Sequence, residues 1–439
     1  MTLHMVLLTL SHSDDFAPHP EAYKDNEYKL EANSELRFEV ATKEKVTVEI
    51  VDGLAEIFGT ELVKNKKYTF SNGAKLAVFT WHGCTLKISF NFSEMPYIST
   101  ETPMLIYLNL HGYLEQMRIT AEKDNARGPI ALVVGPVDVG KSTLCRILLN
   151  YAVRLDRRPI YVELDVGQGN IAVPGTMGAV VVERPADPED NFSQQAPLVY
   201  HFGHKSPGEN LTLHNMLISR LAEVLVSKSE SNRKTNMSGV VINTCGWVIG
   251  EGYHCLLHAA QAFEVDVVIV IDQERLYNQL QKDLPSFVKV TMVPKSGGVV
   301  VRAKQARAEC RDSRVRSYFY GNKLPLYPHS IDLRFSDIRV YKIGSPQLPD
   351  SCMPLGMKAE DYCTKIVPVT IDHYLLNHIL AVSLANNNDD DLIQANIAGF
   401  LCVTGIDTER QILTVLAPQP RPLPKSILLL SNVQFMDSH

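Results

Sequence analysis

The chain has 439 residues, 45% of them hydrophobic and 21% charged, with a net charge of −6, a balance that fits a well-cored protein too long for one ordinary domain and excludes nucleic-acid binding by a general basic field. Its eight cysteines are scattered with no Cys-x-x-Cys pair, which excludes a zinc ribbon or a disulfide framework and fits a reducing compartment. The apolar run at residues 5–10 lacks a cationic flank and is too short to span a bilayer, so residues 1–14 are expected to form a flexible leader and no membrane partner is expected.

Residues 15–112 open with period-two alternation: Leu36, Phe38, Val40, then Val46, Val48, Ile50, then Leu86, Ile88, Phe90. Asp52-Gly53 and Asn72-Gly73 supply turn signals between them. Short alternating strands with such punctuation predict a small β-sandwich. A helical pattern over 105–126 then leads into a second domain, 113–329.

That domain begins with the apolar run Ile130–Val134, followed by Gly135-Pro136-Val137-Asp138-Val139-Gly140-Lys141-Ser142-Thr143. The run fits G-x-x-x-x-G-K-[ST], whose backbone N–H groups wrap phosphates. Leu144, Ile147, Leu148, Tyr151 and Leu155 follow at helical spacing. Strand, glycine loop and helix together aim a helix N-terminus at an anion. Lys141 is expected to reach the β- and γ-phosphates of a nucleotide, and Ser142 to hold Mg²⁺.

Further strands are predicted at 159–164, 240–244, 265–272 and 289–294, and helices at 210–228, 252–264 and 273–284, with 229–238 as a polar loop. The alternation predicts an α/β fold with a doubly wound, mostly parallel sheet, its ligands at the carboxyl ends of the strands. From about Ser330 the sequence is again β-rich (338–343, 366–371, 397–403, 412–417, 427–430). Residues 386–391 read as a solvated loop. Residues 330–439 therefore form a smaller C-terminal domain, and no chemical motif marks it.

Three features carry chemistry. Asp165 follows the second strand of the central domain, where a carboxylate either caps the glycine-rich turn or faces the γ-phosphate and can hold a metal-bound water or accept a hydroxyl proton. Gln168, three residues on, fits either a substrate contact or an ordinary turn. Asn243-Thr244-Cys245-Gly246-Trp247 ends another strand on the same rim, and its indole either offers a stacking face to a base or plugs a gap beneath the loop. Lys304, Arg307, Arg311 and Arg314 recur every three or four residues after Gly297-Gly298, so a helix would align them as one cationic stripe, either a solvated face or a lid over the phosphate loop. His201 and His204 have no partner at metal-ligand spacing. An Asn-Lys-x-Asp guanine motif is absent.

Together these motifs resemble the RNA 5′-hydroxyl kinase subunit family of the mRNA 3′-end cleavage/polyadenylation and tRNA-splicing machineries. The likeness includes Glu35 to Val40, Ala55 to Leu62, the phosphate loop, Glu163 to Gln168, Asn243 to Trp247, and Asp272 to Leu276. It implies an N-terminal β domain, a central P-loop kinase and a C-terminal domain. It assigns Asp138, Val139, Gly140, Lys141, Ser142 and Thr143 to the ATP phosphates, and Glu35 and Lys75 to the adenine. It gives Asp165 hydroxyl activation, Gln168, Thr244 and Trp247 the RNA end, and Arg302, Arg307 and Arg311 the lid. Mg²⁺ is expected on Ser142, with Asp165 acting through water. The expected partners are RNA with a 5′-hydroxyl end and the protein subunits of the two machineries, and the implied location is nuclear. The reading from a different class is a silent ATP-binding scaffold. The intact Lys141, Asp165 and lid arginines favour the enzyme.

Overall fold

The alternation of the N-terminal stretch becomes two facing sheets. The computed structural model describes residues 24–41, 44–71, 73–90, 95–193, 196–345, 362–385 and 389–436; the expected leader lies outside them. Nine strands build the first domain: β1 (Lys24–Leu30), β2 (Ser34–Glu39), β3 (Lys45–Gly53), β4 (Glu56–Ile57), β5 (Thr60–Glu61), β6 (Lys67–Ser71), β7 (Lys75–Thr80), β8 (Cys84–Phe90) and β9 (Tyr97–Ser99). They pair as β1-β8-β3-β6 and β5-β4-β7-β2-β9. Leu36, Phe38, Val46, Val48, Ile50, Val78, Leu86 and Ile88 fill the space between the sheets. Because side chains alternate along a strand, Glu35, Arg37, Glu39 and Lys75 share the opposite face of β2 and β7. Asp52-Gly53 is a correction: it lies inside β3, at a register shift opposite Thr85 and Cys84, and makes no turn.

Helix α1 (Met104–Asp124) buries Tyr107, Leu110 and Leu114 against the central domain. The central domain continues with β10 (Ile130–Val134), α2 (Lys141–Arg154), β11 (Ile160–Glu163), β12 (Thr176–Val181), β13 (Leu198–His201), α3 (Leu211–Glu230), α4 (Arg233–Ser238), β14 (Val240–Asn243), α5 (Glu251–Ala262), β15 (Val267–Ile271), α6 (Glu274–Asp283), β16 (Lys289–Val293) and α7 (Lys304–Tyr320). Its sheet runs β13-β12-β11-β14-β10-β15-β16. The strands from β11 to β16 in that order are parallel, while β12 and β13 add an antiparallel edge that sequence reading missed. The expected polar loop before β14 holds α4 instead, whose first turn is capped by the Asn232 side chain accepting from the Thr235 N–H at 3.2 Å. Leaving β10, the chain crosses β14 and re-enters at β11, so a crevice forms where these three strands end.

The C-terminal domain is one seven-stranded sheet, β17-β22-β21-β20-β23-β18-β19, from β17 (His329–Arg334), β18 (Arg339–Ile343), β19 (Ile366–Pro368), β20 (His378–Ser383), β21 (Ile397–Asp407), β22 (Ile412–Ala417) and β23 (Ile427–Gln434). Within the run expected as a loop, residues 386–388 lie outside the described residues, and Asp389–Gln394 is a helix. One face of this sheet joins the central core through Phe400, Leu429 and Phe435, which pack with Val315 and Phe319 of α7. The N-terminal domain grips α2 in turn. The buried Asn150 amide donates to Phe58 O at 2.8 Å and Thr60 Oγ1 at 2.9 Å, and accepts from the Ala186 N–H at 2.8 Å. Glu56 takes the Tyr151 hydroxyl and pairs with Arg154 at 2.7 Å. No helix among the described residues is long and apolar enough to cross a membrane.

His111, His201 and His214 are buried, and burial pushes each imidazole down to about 4. The unfolded chain therefore binds more protons than the folded one between pH 6.5 and about 4. Stability rises with pH across that window and is lost as pH falls, by up to about 1.4 kcal/mol per pH unit for each histidine. Denaturant midpoints measured from pH 7 to pH 4.5 are expected to fall steeply. His201→Gln should reduce the slope, and an unchanged profile would contradict the burial.

Candidate active site

The phosphate loop gets its shape from residues in the left-handed region: Gly135 at φ +154°, Asp138 at +56° and Gly140 at +91°. Such a loop turns successive backbone N–H groups inward toward one anion. Lys141 opens α2 and is 8% exposed. Its ammonium donates to Gly135 O at 2.9 Å and Pro136 O at 2.7 Å. Burial lowers its pKa, and the charge of Asp165 works against that. Ser142 is exposed, and its Oγ accepts from Asn243 Nδ2 at 3.1 Å.

Two carboxyl groups stand at the end of β11. Asp165 is held by the Gly167 N–H, which donates to Oδ1 at 3.0 Å. Burial raises its pKa, while Lys141, Arg307 and Arg302 pull it back. The charges of three residues distant in sequence thus act on one carboxylate. Glu163 is 2% exposed and accepts from Tyr161 Oη at 2.6 Å, Asn170 Nδ2 at 2.5 Å, Asn243 Nδ2 at 2.9 Å and the Asp165 N–H at 2.9 Å. Burial, with the Asp165 charge behind it, pushes Glu163 up to about 7. Asn243 links this buried carboxyl to Ser142.

The β14 rim folds against the loop. A Cβ on Gly246 would stand 2.6 Å from Val137 N, so only glycine lets the segment press on the phosphate loop. Trp247 is partly exposed, and its ring lies on Gly208 and Gly252, where a Cβ would come within 3.3 Å and 2.4 Å. The indole therefore has a fixed seat and a free side. Gln168 is partly exposed in the β11 loop. Thr244 is 2% exposed, and its hydroxyl donates to Val133 O at 2.8 Å, so its side chain serves the sheet and does not line the cleft.

Helix α7 covers the loop from the far side. Arg307 Nη2 pairs with Asp138 Oδ2 at 2.6 Å, the Arg302 N–H donates to the same oxygen at 2.9 Å, and Arg302 Nε lies 3.9 Å from Oδ1. A phosphate-loop carboxylate thus holds both Arg302 and Arg307. Arg311 is partly exposed on the same helix face. The glycines before α7 rest on the first domain: a Cβ on Gly297 or Gly298 would stand 2.9 Å from Arg37. Arg37 Nε donates to Glu35 Oε1 at 2.5 Å, and Thr102 Oγ1 donates to Glu35 Oε2 at 2.9 Å. Glu35 is 3% exposed. Lys75 sits four register positions along from Glu35, paired with Glu39 at 2.9 Å.

Comparison with known proteins decides the family. The description "mRNA cleavage and polyadenylation factor CLP1 P-loop" matches residues 135–321, "N-terminal beta-sandwich domain of polyadenylation factor" matches 29–121, and "Pre-mRNA cleavage complex II protein Clp1" matches 326–437. The chain belongs to the Clp1 family. Among Clp1 relatives, "Polyribonucleotide 5'-hydroxyl-kinase Clp1" of Gallus gallus is 58% identical over 410 residues, covering 93% of this chain and 96% of that protein. The Homo sapiens protein of the same name gives the same figures. "Protein CLP1 homolog" of Culex quinquefasciatus is 60% identical over 414 residues, covering 94% and 98%. Clp1p solved in complex with Pcf11p shares the fold, with a TM-score of 0.83 at 23% identity over 94% of this chain and 99% of that one.

Within this Clp1 site, sequence reading missed Glu163, Asn243 and Arg37 as members. Glu163 and Asn243 carried one available signal, since both are polar residues ending otherwise apolar strands. Arg37 carried none, because apart from Glu35 its contacts come from segments 64 and 260 residues away in sequence.

Proposed function

We propose that this chain is an ATP-dependent polyribonucleotide 5′-hydroxyl kinase, transferring the γ-phosphoryl group of ATP to the 5′-hydroxyl of RNA. The observation that carries the reading is the phosphate loop itself, with Lys141 lodged on its carbonyls and both Arg302, just before α7, and Arg307 of α7 drawn onto its Asp138. The hydroxyl approaches in line with the γ-phosphate, and Asp165 orients it and takes its proton. Lys141 moves from the loop carbonyls to the phosphate oxygens. Arg302 and Arg307 exchange Asp138 for the transferring group, where charge spreads over three oxygens. Ser142 and, through water, Asp165 would hold Mg²⁺, which would supply neutralisation of the phosphate charge.

The RNA end is held by Trp247, with Gln168 beside Asp165. Glu35 and Lys75 take the adenine, and the enclosed position of Glu35 suits a hydrogen bond to an exocyclic amine. Family membership supports a place in mRNA 3′-end processing, and the neighbour solved with Pcf11p supports a protein partner there. A role in tRNA splicing and a nuclear location extend the same reading.

The test is incubation of the full chain with γ-labelled ATP and 5′-hydroxyl RNA and DNA oligonucleotides. Label is expected at the RNA 5′ end, and none on any oligonucleotide would end the kinase reading. Trp247→Ala removes a stacking face worth ~1–3 kcal/mol per base. It is expected to raise the KM for oligonucleotide by roughly 10- to 100-fold, with a smaller change in kcat. An unchanged KM would make the indole a structural plug.

A further inference from the structure

The three nitrogens of the Arg37 guanidinium meet three different segments. Arg37 leaves β2 on the face away from the sandwich core and is 6% exposed. Its Nε donates to Glu35 Oε1 at 2.5 Å, and its Nη2 donates to Glu101 O at 2.7 Å, on the linker into α1. Its Nη1 lies against Gly297, where a Cβ would stand 2.9 Å from it, and a Cβ on Gly298 would stand 2.9 Å from Arg37 Cδ. The guanidinium is also 5.9 Å from the Tyr97 ring centre. A planar fork fixed at this many points has little freedom to aim elsewhere.

The glycine segment carries that hold onward to the phosphate loop. Ser296 shapes it as a turn: its Oγ accepts from the Gly298 N–H at 3.2 Å, and its carbonyl accepts from the Val299 N–H at 3.1 Å. Val299 then reaches the loop, since a Cβ on Gly140 would stand 3.4 Å from Val299 Cγ2. Three residues further on, the Arg302 N–H donates to Asp138. Consecutive contacts therefore run from Glu35 through Arg37 and residues 296–299 to the phosphate loop. At the Glu35 end, Arg37 and Thr102 each donate to a different carboxylate oxygen. An ion-paired carboxylate held in this way has acceptor sites left over and no donor to offer. Adenine presents an N6 amino donor at the edge where guanine presents the O6 acceptor.

We propose that Arg37 is a positioning residue that sets the base selectivity of the nucleotide site and couples it to the segment leading into α7. It aims Glu35 as an acceptor at the exocyclic amine of adenine, and the same guanidinium seats Gly297-Gly298. The inference rests on the reading that Glu35 takes the adenine. A guanine O6 facing Glu35 sets one acceptor against another and drives the carboxylate off its place. Arg37 then moves with its partner, and the turn that brings Val299 to Gly140 and Arg302 to Asp138 loses its support.

The experiment titrates ATP and GTP, each with Mg²⁺ and without RNA, into the full chain and four variants: Arg37→Met, Arg37→Lys, Gly297→Ala and Glu35→Gln. The readout is the ratio of the two dissociation constants, which a merely loosened fold would not move. Arg37→Met is expected to reduce the preference for ATP roughly tenfold, the scale of one charge-assisted hydrogen bond, and Arg37→Lys to keep part of it. Gly297→Ala is the deciding variant. Gly297 is exposed, so the fold tolerates a methyl group, yet the added Cβ displaces the Arg37 fork at a distance from the base. The ratio is expected to drop severalfold. A wild-type ratio in Gly297→Ala overturns the coupling, whatever Arg37→Met does to folding. If Glu35→Gln lowers the ratio while the Arg37 and Gly297 variants keep it, this inference falls and the adenine assignment survives. If Glu35→Gln also keeps the ratio, both fall. Binding needs no turnover, so a chain that behaves as expected here but labels no RNA keeps the inference and loses the kinase reading.

Discussion

Lys141→Ala is expected to abolish measurable phosphoryl transfer, with a loss of roughly 10²–10³-fold or more, the cost of removing one aimed donor from a transition-state oxyanion. Stability should change little. The variant loses two hydrogen bonds to loop carbonyls, but it also relieves the desolvation of an ammonium whose pKa burial lowers. Each net hydrogen bond contributes only about 1 kcal/mol, so the two effects nearly cancel. Thermal unfolding would place the variant within a few degrees of wild type, and single-turnover transfer would show the loss. Wild-type-like turnover would remove Lys141 from the chemistry. A collapsed unfolding temperature would mean that its role is structural.

Asp165→Asn is the second large effect, expected at ~10²–10⁴-fold in kcat, the usual span for a positioned base. The amide preserves the shape and can still accept the Gly167 N–H through its oxygen, so the loop keeps its turn. What disappears is the negative charge that three cations face. Burial raises the Asp165 pKa, so activity in wild type should fall on the acid side of the pH profile as this carboxyl gains its proton. The residual activity of Asp165→Asn should lack that limb. A variant that keeps the limb would shift the titrating role elsewhere, with Glu163 the nearest candidate.

The phosphate loop was legible because its chemistry is local: glycines, a lysine and a hydroxyl residue within nine positions, after an apolar strand. Asp165 was legible for a related reason, since strand order in an α/β sheet places strand ends on one rim. The sandwich core followed from alternation at Leu36, Phe38, Val46 and Val48. Failures came where local signals conflict with tertiary context. Thr176–Val181 and Leu198–His201 are short strands set among prolines and glycines, and pairing of the first with β11 and of the second with the first makes them strands. Arg233–Ser238 reads as polar linker, yet a cap and a packed surface turn it into a helix. Thr244 sits in the right loop but faces inward, a one-residue alternation that a motif does not encode. The hold of Asp138 on Arg307 was invisible, because it joins residues 169 positions apart.

Helix α7 does not end in solvent. At its far end Phe319 stacks with Phe435 at 6.3 Å, and Tyr318 Oη accepts the Phe400 N–H at 2.9 Å. The helix is thus moored at its far end, and any swing would belong to its arginine-bearing tip, as a tiller pivots on its post. Cutting away the C-terminal sheet would not leave a smaller kinase with a working cover. It would unship the tiller, and a truncation chosen to trim a passive appendage would be scored, misleadingly, as a loss of catalysis.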